Sequence, residues 1–207
     1  MFGLRKFISR VFLNNFKSFG ENNKFIISKN THIQKVSIRA YGNNNIVKIE
    51  DGAYLHKVKI RIGFPDTPVD NCLIKVGKNT SINSAKMQLG ENGSSIIIEE
   101  ECMISFNVEF SCTDTHSIFD KNGKLINVGN NITIGANSWI CQNAVILKNS
   151  TIPKNSIIAQ NSVVTKQFTQ ENTIIGGAPA KILKENITWD RKRPNYFLTA
   201  GDKSNYD

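Results

Sequence analysis

The sequence predicts an all-β chain wound as a left-handed parallel β-helix, because three regularities share one register in its C-terminal half. Large aliphatic residues recur at every sixth position, and each of the first six is followed three residues later by an asparagine and four residues later by a residue that is mostly small. The aliphatic series is Val128, Ile134, Ile140, Ile146, Ile152, Ile158 and Val164. A period of six fits neither an α-helix nor a simple alternating strand, but it fits a strand and a turn repeating around a triangular prism.

Each position of the repeat has a physical reason. The aliphatic side chains point into the prism and stack on their equivalents one coil away, about 18 residues further on. The small position also points inward, at a corner with little room: Ile132, Ser138, Ala144, Ser150, Ser156 and Ser162. Asparagine tolerates the left-handed backbone region better than other non-glycine residues, which suits it to the turns. The turn residues are Asn131, Asn137, Asn143, Asn149, Asn155 and Asn161.

Upstream, the same register appears in fragments. Aliphatic or aromatic residues keep the six-residue spacing at Ile27–Ile33, Ile49–Leu55, Val76–Ile82 and Ile98–Ile104–Phe110. The spacing slips between these fragments, notably at residues 63–71 and 90–95. We predict loops or irregular corners there, within one continuous β-helix domain spanning residues 23–175. Because each coil contacts only its neighbours, both ends need caps.

The two ends of the chain are expected to differ from the solenoid. Residues 1–22 read as an amphipathic helical segment that carries basic residues. It can cap the first coil, mediate a subunit contact, or rest on an anionic membrane surface. Residues 176–207 are expected to form a loop, a short helix from Ala180 to about Asn186, and a polar tail.

Composition narrows the class of protein. The 207 residues carry a formal charge of +9, which favours an anionic partner. No helix-turn-helix, zinc-finger or RNA-binding signature is present, so nucleic acid is not expected. The three histidines and four cysteines show no metal-ligand spacing, so we predict no metal. No apolar run is long enough to span a membrane, and the first 20 residues lack a cleavage site. We therefore expect a cytoplasmic protein with reduced thiols, with contact at the inner face of the membrane left open.

A break in the repeat marks the expected site. Residues 111–125 interrupt the register where it is otherwise strongest, and a long excursion from a tight solenoid is a usual place for function. It contains Asp114 and His116. Because an imidazole takes up a proton near neutral pH, His116 is the candidate general base.

Three segments resemble one enzyme family. They are Thr113-Asp114-Thr115-His116, then Gly135-Ala136-Asn137-Ser138-Trp139-Ile140, then Gly176-Gly177-Ala178-Pro179-Ala180-Lys181. Together they resemble the hexapeptide-repeat O-acetyltransferases. Residues 181–189 look more like the bacterial capsular branch, which includes the polysialic acid O-acetyltransferases. The resemblance is specific over about residues 98–190 and weak before residue 75.

The resemblance implies roles at matching positions. His116 matches the catalytic base that takes the proton of a sugar hydroxyl as its oxygen attacks the thioester of acetyl-CoA. Asp114 would orient the imidazole or contact the acceptor, or would only cap the loop. Trp139 would flank the acetyl and pantetheine end, or cover a subunit interface. A backbone amide near Cys141 or Gln142 would stabilise the oxyanion.

The resemblance also implies the donor site and the assembly. The positions matching the pantetheine, nucleotide and phosphate contacts, beyond Trp139, Cys141 and Gln142, are Ala159, Gln160, Thr165, Lys166, Lys181 and Lys184. Relatives are homotrimers, so His116 would come from one subunit and Trp139 from its neighbour. The carbohydrate acceptor would lie near Asn107 and Glu109.

The expected function is acetyl transfer from acetyl-CoA to a sugar hydroxyl of a capsular or surface polysaccharide, or of its precursor. The basic charge leans towards an acidic glycan, such as one that contains sialic acid. Two alternatives remain from the sequence: N-acetylation of an amino sugar nucleotide, and a β-helix scaffold without enzymatic activity.

Overall fold

The computed structural model describes residues 14–199, which form a left-handed parallel β-helix with three faces. Face A consists of seven parallel strands: β1 Asn15–Phe19, β4 Ser37–Tyr41, β7 Val58–Ile62, β10 Ala85–Leu89, β13 Val108–Ser111, β16 Val145–Leu147 and β19 Val163–Val164. Face B consists of six: β2 Lys24–Ile27, β5 Ile46–Ile49, β8 Leu73–Val76, β11 Ser95–Ile98, β14 Ile132–Ile134 and β17 Thr151–Ile152. Face C consists of eight: β3 His32–Gln34, β6 Tyr54–His56, β9 Ser81–Ile82, β12 Met103–Ile104, β15 Trp139–Ile140, β18 Ile157–Ile158, β20 Ile174–Gly177 and β21 Ala180–Lys184. A short helix, α1, spans Pro194–Thr199.

The predicted aliphatic register forms the core, except at its first member. Six of the seven aliphatics are fully buried, and equivalent residues stack in register, as Ile134 does on Ile152 and Ile140 on Ile158. The prediction was wrong for Val128, whose side chain is 59% exposed. The reason is that Val128 still belongs to the excursion after β13, and the chain re-enters the prism only at Ile132.

Asparagines occupy the left-handed turns as predicted, with one exception. Five of the six predicted turn residues have a positive φ, between 52° and 63°. Their amides also bond from coil to coil, as Asn137 Nδ2 donates to Asn155 Oδ1 at 3.0 Å and Asn143 Nδ2 to Asn161 Oδ1 at 3.0 Å. Asn131 is the exception. It has no positive φ, and its Oδ1 accepts hydrogen bonds from the backbone N and Oγ of Ser95.

The coils differ in length, which explains the fragmented register upstream. The inward residues of face A stack in the order Phe16, Ile38, Ile60, Met87, Phe110, Ile146 and Val164, so successive coils hold 22, 22, 27, 23, 36 and 18 residues. From the inward residue of face B to the inward residue of face C, the separation is six residues in each coil. The long segments all lie at the corner from face A to face B, which we call the AB corner.

The predicted N-terminal helix over residues 1–22 was wrong where the structure describes it. Residues 15–19 form β1, which pairs in parallel with β4 and makes the first coil. Pairing explains the difference, because Asn15 N donates to Val36 O and Asn14 Oδ1 accepts from Val36 N, so the backbone is satisfied by the next coil. Residues 1–13 lie outside the described part. No helix among the described residues is long and apolar enough to cross a membrane.

The predicted helix from Ala180 to Asn186 was also wrong. Ala180–Lys184 instead form β21, which runs antiparallel to β20 at the end of face C. The chain reverses over residues 177–180, and Ala180 is buried against the core while Ile182 packs beside it. An edge strand offers unpaired backbone groups, and a returning strand satisfies them while closing the open end of the prism.

Candidate active site

The excursion after β13 is an ordered projection at the AB corner. Phe119 and Leu125 pair in an antiparallel bridge, and Ile126 N donates to Ile118 O at 2.9 Å. At its tip, Asp120 Oδ1 accepts from the backbone N of Asn122 at 2.8 Å and of Lys124 at 2.9 Å. The predicted catalytic loop is therefore a small hairpin on a fixed base.

His116 lies at the base of this hairpin with its side chain exposed. Its backbone is held on both sides, since His116 N donates to Asp114 O at 2.7 Å and Asn127 Nδ2 donates to His116 O at 2.8 Å. Thr115, just before it, adopts a positive φ of 63°. The backbone is thus fixed, and the imidazole is free to meet a ligand.

The Asp114 carboxylate holds the hairpin to the prism. Its Oδ2 pairs with Lys148 Nζ and accepts from Asn127 Nδ2 at 2.8 Å. The hydrogen bonds from Lys148 and then Asn127 hold the pKa of Asp114 below its usual range. This geometry favours the loop-capping interpretation, and a direct contact of Asp114 with the acceptor stays a prediction.

Asn127 and Lys148 were not predicted from the sequence. Asn127 bonds both Asp114 and His116, and its Oδ1 accepts from Ile118 N at 2.8 Å. Lys148 Nζ also donates to Asn127 O. Neither residue breaks the repeat pattern or resembles a motif, so no signal distinguishes them from other surface residues in the sequence.

A cavity of about 220 Å³ lies against His116. It is lined by residues from three consecutive AB corners, including Thr67, Glu91 and Asn127. Glu91 Oε2 is buried there and has no hydrogen-bond partner, the one such side-chain atom among the described residues. An unpaired buried carboxylate oxygen is costly, so this atom makes the cavity a candidate binding site.

Trp139 lies on the outer surface of face C and is partly covered by the C-terminal segment. The rings of Trp139 and Trp189 are 5.8 Å apart between centroids, and Trp189 Nε1 donates to Asn137 O at 2.8 Å. Further along, Arg191 bonds Ser81 Oγ and the carbonyl oxygens of residues 79, 101 and 102. Residues 187–191, which we call the strap, thus run back across several coils of face C.

The two candidate oxyanion amides differ in the structure. Cys141 N donates to Ile158 O at 2.9 Å as part of the ladder between coils. Within the described residues Gln142 N donates to no protein acceptor. Because an oxyanion needs a donor that is not already engaged, Gln142 is the better candidate of the two.

The other predicted donor-site residues fall into two groups. Ala159, Gln160, Lys181 and Lys184 lie on face C or just past it, on the same side as Trp139. Thr165 and Lys166 follow β19 and lie at the AB corner, like His116, and Lys166 Nζ rests 5.2 Å from the centroid of the Phe168 ring. The AB corner of a triangular prism is opposite face C, so the predicted residues do not form one site within a single chain.

The four cysteines are free, and burial suppresses their ionisation. Desolvation raises the pKa of Cys102 and of Cys112 to about 12, and that of Cys141 to about 11. It also raises the pKa of Cys72. No group of three or more potential metal ligands is found among residues 14–199.

Comparison with solved structures defines the class: the chain is an acetyl-CoA-dependent acetyltransferase, similar in fold and sequence to hexapeptide-repeat acetyltransferases. It is similar over nearly its full length to two enzymes. The polySia-specific acetyltransferase NeuO is 25% identical, with 91% of this chain and 94% of that chain covered and a TM-score of 0.69. The polysialic acid O-acetyltransferase OatWY is 29% identical, with 90% and 96% covered and a TM-score of 0.64. No family model and no curated protein matches the sequence.

Proposed function

We propose that this protein transfers an acetyl group from acetyl-CoA to a hydroxyl of an acidic polysaccharide, with His116 as general base. The observation that carries the proposal is the ordered hairpin that presents an exposed His116 from a β-helix similar to two polysialic acid O-acetyltransferases. The names of both relatives specify polysialic acid, and we therefore propose a capsular or surface polymer that contains sialic acid as the acceptor. A cytoplasmic location fits acetyl-CoA as the donor.

The chemistry follows from the groups available. A sugar hydroxyl is a poor nucleophile until a base accepts its proton, and the neutral imidazole of His116 can do so as the oxygen attacks the thioester carbonyl. The carbonyl oxygen then gains negative charge, and the Gln142 amide is free to donate to it. Collapse of this intermediate breaks the C–S bond, and the departing thiolate takes up the proton held by the imidazole.

The site requires more than one copy of the chain. His116, Thr165 and Lys166 lie at the AB corner, whereas Trp139 and Gln142 lie on or beside the opposite face. A cyclic trimer that sets the AB corner of one subunit against face C of the next unites the two groups. Lys181 and Lys184 then provide cations for the phosphates of CoA.

The acceptor pocket is proposed at the other edge of face A. Asn107 and Glu109, named from the sequence, line a cavity of about 480 Å³. Four lysines also line it: Lys35, Lys57, Lys59 and Lys86. This excess of cations favours an acceptor with carboxylates over a neutral sugar.

The test is a thiol-release assay with acetyl-CoA and a panel of glycans: polysialic acid, a neutral polysaccharide, and an amino sugar nucleotide. We expect CoA release with the acidic polymer and loss of activity by about 10² to 10⁴ in His116→Ala. The matched control is His56→Ala, which removes a histidine from face C. Full activity in His116→Ala would refute the base assignment, and release with the amino sugar nucleotide alone would refute the polymer acceptor and favour N-acetylation.

A further inference from the structure

Face A carries a row of cations that extends beyond the acceptor pocket. We propose that Lys17, Arg39 and Arg61, which we call the cationic track, bind successive acidic residues of an extended glycan chain. This proposal rests on the proposed function, since it specifies an acceptor polymer that is several residues long. The track lies on coils one to three, and the lysine-lined pocket continues the same face to coil four.

The strand register places the track residues directly beside one another. Lys17 pairs with Arg39 across β1 and β4, and Arg39 pairs with Arg61 across β4 and β7. In the neighbouring outward row, Lys59 pairs with Lys86. Adjacent strands lie about 4.8 Å apart, and like charges directly opposite each other are destabilising. Such an arrangement is unfavourable without a ligand of opposite charge.

No acidic side chain of the described residues neutralises the track. The ion pairs found among the described residues involve Lys48, Lys75, Lys148 and Lys154, none of which belongs to the track. Arg61 has only a ring contact, its guanidinium lying 5.4 Å from the centroid of Phe64. By contrast, Lys48 and Lys75 on face B are opposite each other and share Glu50 between them. The chain therefore provides an acidic partner for the cation pair on face B but, among the described residues, none for the cations of the track.

The corner beside the pocket shows the same bias. Where the chain turns from face C to face A, later coils place Asn107, Asn143 and Asn161 in the left-handed region. Coils one and two instead place Lys35 and Lys57 there, with φ of 58° and 54°. Lysine adopts this conformation less readily than asparagine. An anionic ligand in the pocket gives a reason for lysine, rather than asparagine, at these two turns.

The length of the track sets the size of the ligand. Four adjacent strands, from β1 to β10, span about 14 Å across face A. A single sugar cannot reach from the pocket to Lys17, whereas an oligomer of several residues can. Affinity should therefore rise with chain length until the track is filled, and should fall with added salt because the contacts are exposed.

The experiment measures binding of sialic acid oligomers of two and eight residues by calorimetry, in low and moderate salt. The test variant is Arg39→Gln/Arg61→Gln, and the matched control is Lys48→Gln/Lys75→Gln, which removes the same charge from face B. We expect the test variant to weaken binding of the octamer on the order of tenfold and to leave the dimer unchanged. The control should bind both as the wild type does.

Two results would overturn the proposal: equal losses in the test and control variants, or a loss for the dimer as large as that for the octamer. A single-stranded DNA of matched charge is the comparator, and equal binding of DNA with an equal loss in the variant would show a nonspecific polyanion surface. Because binding is measured without acetyl-CoA, it is independent of the reaction. Octamer binding without acetyl transfer would refute the proposed function but not the proposed binding of the polymer by the track.

Discussion

Two residues that are close in sequence serve separate purposes at the hairpin. Asp114 anchors the hairpin through Lys148 and Asn127, while His116 keeps its imidazole exposed on the backbone that this anchor fixes. The division matters because a base must be placed accurately before it can work. Loss of the anchor should therefore reduce activity without removing the chemistry.

The ion pair between Asp114 and Lys148 can be tested by a double-mutant cycle with Asp114→Asn and Lys148→Met. The side chains are 38% and 17% exposed, so we expect a coupling free energy of about 0.2–1 kcal/mol at neutral pH. Because the pKa of Asp114 is lowered in the folded state, this contribution is present above the ordinary carboxyl pKa and is lost as the pH falls through the lowered value. Urea unfolding at neutral and acid pH provides the measurement. A coupling that persists in acid would contradict it.

Glu91 is the second residue whose change is informative. Its unpaired Oε2 lies in the cavity against His116, so Glu91→Gln removes the charge of a half-buried carboxylate with little change in shape. Because the residue is half-buried, we expect the free energy of unfolding to rise by at most about 1 kcal/mol while kcat falls. Gains in stability at the expense of activity are typical of functional sites. Unchanged kcat would show that the carboxylate has no part in the reaction.

At the scale of elements, the structure differs from the sequence expectation where tertiary pairing decides. The stretch 15–19 has a helical spacing of phenylalanines, yet β4 offers it a ladder, and it becomes β1. Ala180–Lys184 likewise pairs with β20 rather than coiling. Within the period-six region, by contrast, each strand depends only on the residues of its own hexapeptide and on pairing with the adjacent coil. Local pattern was sufficient there because contacts are between neighbouring coils.

The strap is an element that sequence could not reveal, because Arg191 contacts residues about a hundred positions away. We expect Trp189→Phe and Arg191→Gln to raise the KM for acetyl-CoA several-fold with a smaller effect on kcat, since both act on Trp139 rather than on the base. Arg193→Gln, two residues beyond the strap, is the matched control. A KM unchanged in both test variants would separate the strap from donor binding.

The two tryptophans offer a direct readout of the strap. Trp139 and Trp189 are the only two in the chain, so Trp189→Phe leaves Trp139 as a single fluorescent reporter. We expect the near-ultraviolet circular dichroism of the pair to disappear in Trp189→Phe and to weaken in Arg191→Gln. Emission of Trp139 should then change on titration with CoA. Dichroism unaffected by Arg191→Gln would show that the arginine does not hold the strap in place.

At the scale of the whole molecule, the sequence predicted the fold class and much of the core but not the coil lengths. The aliphatic register and the turn asparagines are local, so they can be read from the sequence. The separations of 16 and 24 residues between stacked positions at the AB corner, as from Phe110 to Ile134, carry no periodic signal. The division of site residues between opposite sides of the prism follows only from those coil lengths.

The buried thiols give a prediction for the intact protein. With the pKa of Cys102 and Cys112 raised to about 12 and that of Cys141 to about 11, few thiolates exist at the pH of a thiol-release assay. We expect the native protein to react slowly with a disulfide reagent at pH 8, through the half-exposed Cys141 first, and to yield four thiols when denatured. Cys141→Ser should abolish that first phase. Rapid reaction of several thiols in the native protein would disprove it.

At the AB corner, the length of the connecting segment can change independently of the packing of the core, whereas in most folds the two change together. The other corners keep a length of five or six residues between stacked positions, while this one corner ranges from six residues to 24. New segments can therefore be spliced in at this one edge without disturbing the packed interior. The short corner of coil six, between Ile146 and Ile152, is the natural place for grafting a foreign loop. In a threefold assembly that sets this edge against the next subunit, such a graft would remodel three active sites with one change in the gene.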